Sequence, residues 1–296
     1  MSSIITGAYD LHVHAAPDVL PRKFDEFEMA QRAIDTGMAG FAIKSHYFCT
    51  AERAQNVNKL YPGTKAFGML WLNQSCGGIN PYAVELAGRA GCKYVGFPTV
   101  DTYNSITKVF TLPPEKRGFW ASIIVDMKND GITLKAVEVS KDGKLLPETY
   151  DCLDIIAKYD MAVATGHLSV EDCLLVVKAA KERGVKRIIC THVSSAASGY
   201  DTSYQKEMQK MGAIMEHTMG GVWSGKIPFE KMAGQMRELG PDNCLLATDF
   251  GQPKNGYPDE GLLWMSERLI KEAGFTEDEV RKMIVDNPKF LMNDYE

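Results

Sequence analysis

Eight short apolar runs, separated by longer amphipathic stretches, recur along this chain and leave few architectures open to it. The runs are Ala8 to Val13, Gly40 to Ser45, Lys65 to Leu72, Cys92 to Thr99, Met161 to Gly166, Lys186 to Thr191, Gly212 to Glu216 and Asn243 to Thr248. Strand-length runs alternating with helix-length amphipathic segments are the pattern of βα units and a parallel sheet. The segments between them carry helix punctuation. Ser169-Val170-Glu171-Asp172 opens one with a capping-box pattern, apolar residues follow at Val170, Leu174, Val177 and Ala180, and Gly184 ends it. Thr276 to Val280 opens the last helix in the same way. The expectation is α/β in class, a single (β/α)8 TIM barrel over residues 1–296, with an open doubly wound sheet as the alternative. No G-x-G-x-x-G follows a strand, so the dinucleotide-binding form of that alternative has little support.

One interval breaks the rhythm. Between the fourth and fifth runs the spacing is far longer than a connection of a few residues, so an insertion is expected over about 101–150. Within it, "ITLKAVEV" and "KLL" flank Ser140-Lys141-Asp142-Gly143, a turn signal suited to a β-hairpin. Such an insertion either covers the catalytic mouth, bringing Tyr103, Lys108, Arg117 and Trp120 to a substrate, or serves as decoration or a contact in a homo-oligomer.

Composition narrows the class. With 296 residues, 45% hydrophobic and 24% charged, the chain can bury a substantial core without staples. Seven cysteines, odd in number and without a C-x-x-C pair, read as buried thiols of a reducing compartment. The N-terminus lacks a basic region followed by a long apolar core, and no run approaches the length of a membrane span, so the expected location is the cytoplasm. A net charge of −5 without a Lys/Arg cluster provides no footprint for nucleic acid.

The histidines carry the functional signal. All six, His12, His14, His46, His167, His192 and His217, lie at or just beyond the C-terminal end of an expected strand. His167, His192 and His217 are each 25 residues apart, one βα unit, so they occupy equivalent places in successive units. In a barrel those places share the mouth where catalytic groups converge. Residues i and i+2 of a strand face one side, so His12 and His14 are expected to point inward while Leu11 and Val13 pack against helices. An isolated H-x-H is more often structural than metal-binding. Six imidazoles at one end of successive strands have no such ordinary explanation. Two imidazoles from one strand, His167 and His192 from others, and a carboxylate at Asp249 suit a divalent ion, zinc first, with Mn, Fe or Ni admitted by the same donors.

In order along the chain, "DLHVH", "ATGHLS", "CTHVSS" and "ATDFG", with "DNPKFLMN" near the C-terminus, resemble the amidohydrolase superfamily of metal-dependent (β/α)8 enzymes, and "HVHAAPD", "KSHY" and "GKLLPE" resemble an uncharacterised branch of it. The resemblance spans almost the whole chain. It implies metal ligands at His12, His14, His167, His192 and Asp249. Many binuclear members place a carboxylated lysine or a glutamate at the end of strand four. Here that strand ends "GFPTVD", and Lys93 lies at its other end. Lys135 and Glu138 substitute only if the hairpin reaches the mouth, so one ion per chain is the default.

Lys44 and His46 share a face at the end of strand two. Lys44 reads as a modified bridging ligand, a cation for an acidic substrate group or the partner of an inward aspartate such as Asp10. His46 reads as a substrate contact, as support for the ligands, or as a purely structural residue. His217 reads as a substrate contact, as a proton donor to the leaving group, or as a supporting histidine. The preferred activity is metal-assisted hydrolysis of a small-molecule amide, ester, lactone or phosphoester, with Asp249 as base and Lys44, His46 or His217 orienting the substrate. A metal-dependent lyase on the same barrel is the alternative, and a non-catalytic metal- or ligand-binding barrel a third.

Overall fold

The computed structural model describes residues 3–195 and 200–295. Its strands are β1 (Tyr9–Val13), β2 (Gly40–Ile43), β3 (Lys65–Trp71), β4 (Tyr94–Gly96), β5 (Ser140–Lys141), β6 (Lys144–Leu145), β7 (Ala162–Ala164), β8 (Arg187–Cys190), β9 (Ala213–Thr218) and β10 (Cys244–Ala247). Eight of them form one sheet in the order β1-β2-β3-β4-β7-β8-β9-β10, and every pair in it is parallel. The backbone continuing from β10 returns to β1. Val13 and Phe250 form a parallel bridge, Asp249 N donates to His12 O at 3.0 Å, and His14 N donates to Phe250 O at 2.8 Å. Strands therefore alternate with helices around a nearly closed (β/α)8 barrel, and seven of the eight apolar runs contain the strand expected of them, while β9 runs past the expected Glu216 to Thr218.

Alternation along each strand sorts side chains between two apolar layers. Tyr9, Leu11, Phe67, Met69, Trp71, Tyr94, Ile189, Ile214 and Leu245 fill the barrel, and Leu291 and Met292 from the helix Asn287–Met292 pack against them. Their neighbours Ile43, Leu70, Val95, Val163, Ile188, Met215 and Leu246 face the helix layer. Each fully buried side chain of this size contributes roughly 1.5–3 kcal/mol.

Strand β1 departs from simple alternation. Leu11 packs inside the barrel with Tyr9 rather than against helices, while Val13 joins the outer layer as expected. The register against β2 shifts between Asp10 and Val13. An irregularity of this kind re-aims the residues that follow it, and here it lets Leu11, His12 and His14 all turn inward.

The insertion is more helical than expected. Helices Tyr103–Thr111 and Ala121–Asn129 precede the hairpin. The hairpin itself is only β5 and β6, and all of "ITLKAVEV" lies outside a strand. Asp142 (φ 52) and Gly143 (φ 73) occupy the turn, both left-handed as a two-residue hairpin turn requires. Val100, Val109, Ala121 and Ile124 bury a small separate core with Tyr47, which ties the helices to the segment after β2. The expected caps are present: Ser169 Oγ accepts from Asp172 N at 3.1 Å, and Thr276 with Glu279 completes a capping box. No helix among the described residues is long and apolar enough to cross a membrane.

Candidate metal centre at the barrel mouth

Five imidazoles close a ring at the C-terminal ends of the strands. Ring centroids lie 5.6 Å apart for His12 and His14, 5.0 Å for His14 and His46, 6.1 Å for His46 and His167, 5.3 Å for His167 and His192, and 4.8 Å for His192 and His12. Backbone bending helps to form it. His192 (φ 55) and Asp249 (φ 57) both adopt the left-handed region, unfavourable for residues with a Cβ and concentrated at functional sites. Gly251 (φ 130) lets the chain press against β1, where a Cβ would meet His14 O at 1.7 Å.

Inside the ring, His12 Nε2 and His14 Nε2 lie 3.3 and 3.2 Å from the same atom, Asp249 Oδ1. Donors around a tetrahedral ion at about 2.0–2.2 Å stand roughly 3.3 Å from one another. Two imidazoles and one carboxylate thus have the spacing and chemistry to hold a divalent ion. His12 is oriented from behind: its Nδ1 donates to Glu216 Oε1 at 3.0 Å, which leaves Nε2 with a lone pair. Glu216 Oε2 and His14 Nδ1 are buried without a hydrogen-bond partner.

The electrostatics follow from burial. Burial alone raises the Asp249 carboxyl, but the imidazoles around it, His12 first, outweigh burial and hold Asp249 well below the usual carboxylate range. Burial, together with the nearby Arg22 guanidinium, pushes His14 well below its ordinary value. Burial lowers the Lys44 ammonium to about 8 despite the opposing charges of Asp249 and Glu216. Lys44 is fully buried, with Nζ 2.7 Å from His12 Nε2 and 4.2 Å from the Trp71 ring centroid. Its charge partners are therefore Asp249 and Glu216. The expected partner Asp10 is engaged elsewhere, because its carboxylate accepts from Thr248 N, Thr248 Oγ1 and His12 N. Asp10 joins β1 to the segment after β10 instead of lining the mouth.

His167 and His192 take their expected places, with Nδ1 at 3.4 Å from Ser105 Oγ and 2.9 Å from Thr218 Oγ1, respectively. His217 does not join the ring. Glu216 points inward on β9, so the next side chain points outward, and His217 Nδ1 lies 2.7 Å from Ser194 Oγ. Glu216 is the residue that sequence reasoning passed over. Its signal was an acidic residue at the end of the apolar run "GAIME", two positions from the inward Ile214. Arg22 was missed as well: it pairs with Asp18 through Nε at 2.8 Å and Nη2 at 2.7 Å, with both side chains buried.

Of the insertion residues, Trp120 reaches the mouth, its ring 6.0 Å from that of His167. Tyr103 is exposed, and Arg117 donates to Leu112 O within the insertion. Lys135 and Glu138 are exposed, and Glu138 belongs to no candidate metal-ligand group among the described residues.

Residues 7–216 match the model of DUF6282, a family of unknown function. No curated protein matches the sequence. Among solved structures, an amidohydrolase from Pseudomonas aeruginosa superposes with a TM-score of 0.63 at 11% identity, covering 98% of this chain and 97% of that one. YJJV, a TatD homolog from Escherichia coli K12, gives 0.62 at 14%, covering 98% and 99%. The probable dipeptidase PvdM from Pseudomonas aeruginosa gives 0.63 at 10%, covering 97% and 94%. At such identities the likeness establishes a shared fold.

Proposed function

The chain belongs to the DUF6282 family, whose function is unknown, and from that premise and the site geometry we propose that it is a metal-dependent hydrolase of the amidohydrolase kind. Its substrate is a small-molecule amide, ester, lactone or phosphoester. The observation that carries this reading is the convergence of His12 Nε2 and His14 Nε2 on Asp249 Oδ1 at the barrel mouth. His12, His14 and Asp249 would hold one divalent ion, zinc first among candidates, with His167 and His192 beside them. Such an ion, when bound, supplies a water of lowered pKa and polarises the carbonyl or phosphoryl oxygen under attack.

The protein groups do the rest. Glu216 fixes the tautomer of His12 through Nδ1. Asp249, held ionised, is the acceptor for the proton that the nucleophilic water gives up. Lys44 places a buried cation beside the same carboxylate and offsets negative charge gathering in the mouth. Trp120 stands beside His167 at the mouth, its ring 6.0 Å from the imidazole.

Purified protein assayed for metal content, and then against ester, lactone, amide and phosphoester panels in 18O-labelled water, tests the proposal. One equivalent of metal and solvent oxygen in the product are expected. A product formed without solvent oxygen identifies a lyase instead. Asp249→Asn is expected to keep most of its metal while turnover falls by about 10²–10⁴-fold, the usual worth of a general base. A fully active, metal-replete Asn variant removes Asp249 from that role.

A further inference from the structure

His46 sits in the imidazole ring with its Nδ1, like those of His167 and His192, against a hydroxyl. Its Nδ1 lies 2.8 Å from Thr99 Oγ1. That hydroxyl already accepts a hydrogen bond from Asn73 Nδ2 at 2.8 Å. The orientation of Asn73 is fixed by its other contacts: Oδ1 accepts from Thr99 N at 2.8 Å and Asp101 N at 3.4 Å, and Nδ2 also donates to His46 O at 2.8 Å. Turning the amide over would set its NH₂ against two N–H groups and its oxygen against a carbonyl.

Thr99 is fully buried, and among the described residues the remaining hydrogen bond of its Oγ1 is the one to His46 Nδ1. Leaving the hydroxyl proton unused would incur a desolvation cost, so that proton goes to Nδ1. A ring nitrogen that accepts a hydrogen bond carries no proton, and a neutral imidazole then holds its proton on Nε2. His12 is the reverse case. Its Nδ1 faces a carboxylate, so its proton is on Nδ1 and its Nε2 is bare. Nε2 of His46 hydrogen-bonds to no described residue, and the residue is 4% exposed.

We propose that His46 is the hydrogen-bond donor of the ring and not one of its metal ligands: a neutral Nε2–H that binds the substrate oxygen on which negative charge develops. The tautomer rests on the Asn73–Thr99–His46 chain alone, whereas the catalytic purpose rests on the hydrolase reading above. The proton stays on Nε2 throughout, so the step is stabilisation by a hydrogen bond, with no transfer to balance.

The zinc-loaded full-length protein, labelled with 15N-histidine and observed by long-range 1H–15N NMR, tests the tautomer without any substrate. Signals that vanish in His46→Gln identify the residue. They are expected to report an Nε2–H tautomer free of metal; an Nδ1–H tautomer or a metal-shifted Nε2 would overturn the proposal. His46→Ala is expected to retain the wild-type metal stoichiometry, and a loss of bound metal would also overturn it. Should His46→Ala not fold, His46→Gln serves for the metal count, and a loss of bound metal in that variant would equally overturn the proposal. On any panel compound the wild type hydrolyses, His46→Ala is expected to lower kcat by about 10²–10³-fold, with His46→Gln recovering part of the loss through its own N–H. If the wild type hydrolyses nothing, the hydrolase reading and the catalytic purpose of His46 fall together, while the spectra still decide the donor assignment.

Discussion

Lys44 shows how much one buried charge commits the site to its surroundings. A fully buried ammonium needs partners, and this one has the Asp249 and Glu216 carboxylates together with the face of Trp71. Burial still wins and brings the folded value down from 10.5 to about 8. Between those values the unfolded chain binds a proton that the folded chain releases, so stability rises with pH across that window and the gain is absent below it. The expected size is about 3 kcal/mol. Urea unfolding of the metal-free protein from pH 7 to 10.5, compared with Lys44→Met, measures it. The stability difference between the two is expected to change by that amount over the window, and parallel curves would contradict it. The pairing of Lys44 with His46 on one face was legible as an i, i+2 spacing. Its partners were not, because Asp10 and Glu216 are both acidic residues in apolar runs and only the register of each strand decides which one faces inward.

At the scale of elements, the junction of β1 with the segment after β10 sets the metal-binding geometry. His14 comes from one, Asp249 from the other, and their backbones are joined by His14 N donating to Phe250 O and Asp249 N donating to His12 O. Gly251 permits that approach. Its φ of 130 and the 1.7 Å between an added Cβ and His14 O leave no room for a side chain. Gly251→Ala is therefore expected to destabilise the fold by on the order of 3 kcal/mol or more and to reduce metal content. Gly184→Ala, at φ 78 but with open space around it, is expected to cost only about 1 kcal/mol and to leave the metal in place. Urea midpoints and metal analysis of the two variants compare them; similar losses of metal would remove the special place of Gly251. Helix caps at Ser169 and Thr276 could be read directly, since capping is a local exchange of hydrogen bonds within a few residues. The irregularity in β1 could not, since it depends on pairing with β2.

For the whole molecule, the ion and the barrel are expected to stabilise each other. The ligands come from β1 and from strands far along the chain, so an unfolded chain cannot present them together, and binding should appear as added stability. At a free metal concentration 100 times the Kd the gain is about 2.7 kcal/mol. Thermal unfolding of chelator-treated protein, with zinc, manganese, iron or nickel added back, is expected to show Tm rising by several degrees, and His12→Ala is expected to abolish the rise. A Tm unaffected by all four metals would remove the metal centre. What could be read from the chain alone was whatever repeats or acts locally: the alternation of runs that specifies a (β/α)8 barrel, the placement of imidazoles at strand ends, and the caps. Tertiary structure alone decided which of two neighbouring side chains enters the mouth. It brought Glu216 in and left His217 out, took Asp10 out of the mouth, and closed His46 into the ring, because side-chain direction follows from strand pairing and closure, and those are set by partners outside the run in which each residue lies.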